Sequence, residues 1–410
     1  MPAKTDRTIL NIVVDQRVKR TPDGRVWTHV PPDYESVACA LEVFDRVRII
    51  ARTSEADSIP EKSRVVNGLN VDVVAIPNFV GPLQYLRQRS QVSEALVKVA
   101  GLDGAFLLRI PSQTAFVLAP MLSQLGKPYA VELLTDPYDF FAPGVSPNGL
   151  ACLFRPYFCS RSRSLCANAI AANYITGSAT RRANPATHAR CDMSVSDVDL
   201  ATESFLSLPR PIASGPIEIV TVGFLDLLYK GQDILIKALA ACQGLGMDFR
   251  LTFVGDGSYR ETLLDLAAAH GLEDCVRITG ALGGSNQVRE YLSRAHLFVL
   301  PSRAEGIPRA LLEAMAAGLP AICSDVGAMP DLLDARWIVQ PGSVHQLRTK
   351  LLEFSQSRSE WAAIGQRNQS VAHGFHRSIL QPRRAEFYRA IRDHSAPNSI
   401  TNASGRFHAA

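Results

Sequence analysis

The stretch Pro301–Asp325, PSRAEGIPRALLEAMAAGLPAICSD, decides how this chain is read. It follows the apolar run Leu297–Leu300 and breaks into a strand end, a short loop, a helix over Arg309–Ala317 and a second strand at Ala321–Cys323. Glu305 then lies in a loop at the carboxyl end of a strand, where open α/β sheets bind their ligands. Gly306 lets the backbone approach a ligand closely. Pro308 suits a first helical turn, because the N–H it lacks would be unpaired there. The amides of Gly306, Ile307 and Arg309 are left at the positive end of the helix, a place for a phosphate or diphosphate. Glu313 follows Glu305 by eight residues, about one turn into the helix. Carboxylates there can accept hydrogen bonds from sugar and ribose hydroxyls while the amides take the anion. Two glutamates at this spacing would otherwise be an ordinary exposed helix face, and the loop before them is what gives the pair meaning.

A second constellation lies upstream. Ile217–Val222 is an apolar strand, Gly223-Phe224-Leu225 turns away from it, and Tyr229-Lys230-Gly231 opens a helix over Gly231–Ala241. A lysine delivered there can neutralise a departing diphosphate. Strands at Phe249–Val254 and Val276–Thr279 flank a helix at Glu261–His270. Helices at Val344–Phe354, Ser359–His373 and Ile379–Arg392 close the pattern. The N-terminal half repeats the alternation, with strands at Thr8–Val14, Val47–Ala51, Val71–Ile76, Gly104–Leu108 and Tyr129–Leu134. Helices at Tyr34–Phe44, Gln91–Ala100 and Thr114–Leu125 separate them. Buried strands divided by helices predict parallel sheets covered on both faces.

The 410 residues exceed one ordinary core and suggest two domains. Serines and clustered prolines mark residues 196–216 as a linker, so the boundaries fall at 1–195 and 217–376. Residues 377–394 form a crossover helix, and the small polar residues 395–410 read as a disordered tail. Net charge is only +4, which gives no footprint for nucleic acid. Residues 155–190 carry six arginines and no acid; these are either a solvated face or an attraction for anionic lipid or acceptor. The eight cysteines have no zinc spacing. Cys152, Cys159 and Cys166 would share one side of a helix as free thiols in a reducing cytoplasm. The sequence has no leader-like start and no apolar run long enough to span a membrane. A cytoplasmic location, with peripheral contact at an anionic membrane, is the expectation.

In the N-terminal half, Asp136 and Asp139 of VELLTDPYD follow a strand and face the expected cleft. Asp136 either meets an acceptor or caps the turn before Pro137. Arg109 ends a neighbouring strand on the same side and is a candidate for the acceptor pocket.

With VGFLDLLYKGQD, FVGDG, the VRITG strand and HLFVLPSRAEGIPRALLEAMAAGLPAICSDVG in hand, the segment from about Ile217 to Leu333 resembles the donor-binding half of family-4 retaining glycosyltransferases. The resemblance implies an α/β GT-B fold, two Rossmann-like domains facing across a cleft, with an acceptor-binding N-terminal domain. It implies a nucleoside-diphosphate sugar (UDP- or GDP-linked) as donor and a carbohydrate or lipid-linked acceptor, with no metal or other cofactor required. Glu305 matches the acid that touches the donor sugar, Glu313 the one that holds the ribose, and Lys230 the lysine on the diphosphate. Gly223, Gly306, Ile307 and Arg309 complete the donor side. Gly24, in the loop after the first strand, loosely matches the glycine that approaches the donor phosphate. Catalysis would rest on Glu305, Lys230 and Asp136.

The sequence also departs from the family. Phe224 stands where an arginine is usual, with Arg303 and Arg309 as candidate substitutes, and Pro308 replaces a glycine. Asp197-Val198-Asp199 has the spacing of a metal motif but falls in the linker. A dinucleotide-dependent oxidoreductase would need a GxGxxG turn after the first strand, and Asn11–Gly24 has none. The alternative that remains is a non-catalytic subunit or nucleotide-sugar-binding protein of the same fold, for which Phe224 speaks.

Overall fold

In the first strand, β1 (Ile9–Arg20), every residue from Leu10 to Val14 is buried. Leu10, Ile12 and Val14 join one core and Val13 another, so both faces of the sheet are covered. The computed structural model describes residues 8–59, 63–141, 151–207 and 215–395. The proposed tail at 395–410 lies almost wholly outside the described residues, as does part of the linker.

The remaining N-terminal strands are β2 (Val26–Thr28), β3 (Arg46–Glu55), β4 (Arg64–Val65), β5 (Val71–Pro77), β6 (Ala105–Ile110), β7 (Tyr129–Leu133), β8 (Ala171–Tyr174) and β9 (Cys191–Met193). The parallel strands run β5-β3-β1-β6-β7-β8-β9. The first strand is longer than the expected Thr8–Val14. Its pairing with β3 shifts register between Val13 and Arg17, then continues to Arg20 opposite Glu55. Past the bulge β1 also pairs antiparallel with β2, as a ribbon. Such a ribbon needs no continuous apolar run, which is why the sequence hid it. The helix expected over Tyr34–Phe44 is also different. It is one turn, Tyr34–Val37, closed by an Asp33–Ser36 capping box, and then a 3-10 turn over Ala38–Glu42.

A second sheet of six parallel strands contains β10 (Ile217–Val222), β11 (Phe249–Val254), β12 (Val276–Ile278), β13 (Leu297–Leu300), β14 (Ala321–Ser324) and β15 (Ile338–Val339). Its order is β12-β11-β10-β13-β14-β15. The chain moves one way from β10 and returns to the other side at β13, so the two loops leaving β10 and β13 diverge. That switch point is where a doubly wound sheet opens a crevice.

The helix Arg377–Ser395 packs on the first sheet. Its Ala385, Phe387 and Ile391 share a core with Ala105 and Leu107 of β6. The alternate residues Phe106, Leu108 and Ile110 face the helices Gly81–Ala100, Gln113–Gln124 and Ala151–Asn168. Alternation along a strand sends neighbours to opposite faces, so Arg109 must point at the C-terminal helix.

Candidate active site at a switch-point crevice

Lys230 ends a 3-10 turn in the β10 loop, and Glu305 stands in the β13 loop. The Lys230 Nζ donates to Glu305 Oε1 at 2.8 Å, closing the crevice between them. Their side chains are 11% and 9% exposed. Ser302 Oγ donates to the same carboxylate oxygen at 3.0 Å and is fully buried. Burial pulls the ammonium of Lys230 down, but the Glu305 carboxylate and Tyr229 together outweigh it and hold the pKa above the ordinary lysine value. Lys230 is therefore a fixed positive charge. The loops meet so tightly that Gly231, at φ +75, could carry no Cβ: it would stand 2.0 Å from the Pro301 carbonyl oxygen. At Gly223 an added Cβ would press on the Lys230 stem at 2.5 Å.

The helix Arg309–Ala316 begins at once after Glu305. Pro308 is its N-cap, with ψ +115, and does not form part of the first turn as expected. The first amides turned inward are those of Leu311 and Leu312, both to Pro308 O. The amides of Gly306, Ile307, Arg309 and Ala310 precede them, as a helix start requires. Glu313 has a 15% exposed side chain, and burial raises its pKa against the opposing pull of Arg309 and Arg289. Arg309 lies 4.0 Å from it and is 56% exposed. Arg303 forks onto Asp233 at 2.9 and 2.8 Å and also donates to Leu228 O. It braces the Lys230 loop and is not turned to the crevice. Phe224 is 74% exposed.

The two sheets touch beside this crevice. A Cβ on Gly306 would lie 3.0 Å from Leu134 O, at the end of β7. Asp331 accepts from the Ser178 amide at 2.5 Å and from its hydroxyl at 2.7 Å, clasping the halves together. A cavity of about 490 Å³ lies between them, lined among others by Asp136, Asp139, Arg163, Arg182, Asp325 and Asp331.

The N-terminal candidates fare differently. Asp136 caps the turn Pro137–Phe140, accepting from Tyr138 N at 2.8 Å, and also lines the cavity. Burial raises the Asp139 pKa, helped by Asp136 and opposed by the Gly327 amide across the interface. Arg109 is not among the residues lining that cavity. It donates to Glu132 at 2.7 Å and to Asp197 at 3.3 Å beneath the C-terminal helix, its side chain 10% exposed. Asp199 is likewise taken by Arg377 and Arg384. Gly24 is in the tight β1–β2 turn, its amide bonded to Thr21 O, and not in a loop at the carboxyl ends. Asp15, which follows Val14, accepts from the Thr114 hydroxyl at 2.9 Å. The arginines of 155–190 are largely spent on their own surroundings. Arg155 stacks on Tyr138, Arg161 and Arg163 donate to Phe116 O and Ala183 O, and Arg181 pairs with Asp192. Sequence reasoning missed Ser302, Asp233 and Asp331, whose types and spacing carry no signal by themselves.

Residues 209–371 match the family model described as Glycosyl transferases group 1. Protein CapJ of Staphylococcus aureus is 26% identical over 77% of this chain and 78% of its own length. A colanic acid biosynthesis glycosyltransferase, WcaL of Escherichia coli K12, is 32% identical over 45% of this chain and 48% of its own. Anabaena HepE, solved with UDP, superposes with a TM-score of 0.62 at 17% identity, covering 92% and 98% of the two chains. The chain is a glycosyltransferase of GT-B fold in which residues 209–371 match the group 1 model. Among the described residues of this glycosyltransferase, no helix is long and apolar enough to cross a membrane.

Proposed function

We propose that the protein is a retaining glycosyltransferase that moves a sugar from a UDP- or GDP-linked donor to a carbohydrate or lipid-linked acceptor in bacterial surface-polysaccharide or glycolipid assembly. The observation that carries this is the Lys230–Glu305 pair at 2.8 Å across the switch point, beside the start of the Arg309 helix. Lys230 and the amides from Gly306 to Arg309 would take the diphosphate, with Gly223 leaving room for the lysine stem. Glu305 would meet the sugar and Glu313 the ribose. With the acceptor hydroxyl entering on the face the diphosphate leaves, the leaving phosphate takes its proton. The protein then supplies orientation and charge stabilisation. That scheme asks for no metal.

The acceptor would enter beside Asp139 and Asp136, which line the cavity between the halves. The names of WcaL and TuaC, which refer to colanic acid and teichuronic acid biosynthesis, support a polysaccharide acceptor. Peripheral contact with an anionic membrane is supported by Leu153, Phe154 and Tyr157, exposed on the helix that carries Arg155.

The test is binding and slow hydrolysis across a panel of UDP- and GDP-sugars, with Glu305→Ala and Lys230→Ala alongside. Selective turnover lost in both variants is expected. Folded wild-type protein that binds no donor of the panel overturns the proposal.

A further inference from the structure

We propose that Arg163 and Arg182 form an anion subsite in the cavity between the halves, so that the acceptor saccharide carries a carboxylate or a phosphate. The inference rests on the reading above, in which that cavity admits the acceptor. Both residues line it, one from the helix Ala151–Asn168 and one from the short helix Ser178–Ala183. Arg163 is clipped to the second element by its Nε, which donates to Ala183 O at 3.0 Å. That carbonyl belongs to the residue after Arg182, so the two arginines are anchored next to each other. Other arginines of the same stretch are committed elsewhere: Arg155 lies on the Tyr138 ring, Arg161 donates to Phe116 O, and Arg181 pairs with Asp192. Among the described residues, the hydrogen-bond partners of Arg163 and Arg182 are neutral, the Ala183 carbonyl and the Ser178 hydroxyl, the latter at 3.0 Å. Both Nη groups of Arg163 and Nη2 of Arg182 are left to donate to something else.

The carboxylates of the cavity do not answer these two charges. Asp331 gives both oxygens to Ser178, Asp136 caps Tyr138, and Asp325 accepts from Gln340 at 3.3 Å. Burial, and then Asp136, push the pKa of Asp139 up, so it resists taking a charge of its own. Two like charges fixed together without a counter-charge repel, and an anion between them relieves the repulsion. The planar fork of a guanidinium matches the two oxygens of a carboxylate or phosphate. The acids suit the other part of such a molecule, because a carboxylate accepts from ring hydroxyls. A neutral saccharide would use the acids alone and leave both arginines unanswered.

Calorimetric titration of the full chain tests this, with the donor crevice first saturated by UDP or GDP, whichever binds. The probes are methyl glucuronide, glucose 1-phosphate and methyl glucoside. An anionic probe should bind about tenfold or more tightly than methyl glucoside, with an advantage that shrinks as salt is raised. The anion that gains more tells a sugar carboxylate from a phosphate link. Arg163→Gln combined with Arg182→Gln should erase the advantage and leave UDP or GDP binding unchanged. Arg182→Gln alone gives up one bond to a hydroxyl, and should cut the advantage several-fold if the double variant does not fold. Anionic probes that bind no tighter than methyl glucoside overturn the subsite while the donor reading stands. So does an advantage that survives the substitutions. If the folded wild type binds neither UDP nor GDP, the donor reading fails and this inference with it.

Discussion

The two halves share one topology and use it differently. Each sheet is wound outward from its first strand, β1 or β10, with parallel neighbours on both sides. In the C-terminal sheet the loops at the switch point bring Lys230 and Glu305 together at the crevice, with Arg309 and Phe224 in solvent. At the corresponding end of the N-terminal sheet, Asp139 and Asp136 line the cavity, but several polar groups are engaged internally. Asp15 holds Thr114, Arg109 holds Glu132 and Asp197, and Asp136 caps its own turn. A doubly wound sheet thus provides a place for chemistry, and the loops decide whether charge is offered or spent.

That contrast can be broken by substitution, beginning with the largest effect. Lys230→Ala should lower kcat on the order of 10²–10³-fold, measured by steady-state transfer with protein shown to be folded. Near-normal turnover would move the charge-stabilising centre elsewhere.

Arg109→Ala should act on the fold. It leaves Glu132, whose side chain is 13% exposed, with the Asn173 amide but no cation, and removing one partner of a buried pair costs about 3–5 kcal/mol. Thermal unfolding should show a fall of several degrees, with the protein that stays folded keeping its KM for acceptor. A normal Tm with a raised acceptor KM would return Arg109 to the cleft and erase the contrast.

The clasp between the halves should respond more mildly. Asp331→Ala removes both bonds to Ser178 and should lower kcat/KM about tenfold or less. Small-angle scattering should report a more open particle; an unchanged particle would assign the clasp no hold on the cleft.

Glu313→Gln gives the smallest effect, and one of opposite sign on the fold. Because burial raises the folded pKa of Glu313, its contribution to stability is full below the unfolded value of about 4.3 and is lost as pH rises through the folded value. The glutamine variant should therefore melt about 1–2 °C higher at neutral pH, and the gain should vanish in acid. Weaker donor binding should accompany it.

Much of the site was legible before the fold. The Glu305-to-Glu313 spacing, Lys230 after the first strand of its half, and Gly231 at the helix start all depend on a few consecutive residues. Arg109 and Gly24 were misplaced for a common reason. The side to which Arg109 points depends on the C-terminal helix, some 270 residues away, covering that face. Gly24 depends on how far β1 runs past its bulge, which pairing with β3 and β2 decides.

By itself, the sequence determined the alternation of strands and helices, the two-part organisation and the chemical types gathered after β10 and β13. Those follow from hydrophobic period and local turn chemistry, which act over a few residues. Only the tertiary structure decided which charges are free. Arg303 and Arg309 are six residues apart and alike as letters, yet one is forked onto Asp233 and the other stands in solvent. A charge is committed by the partner that packing brings to it, and that partner can come from anywhere in the chain.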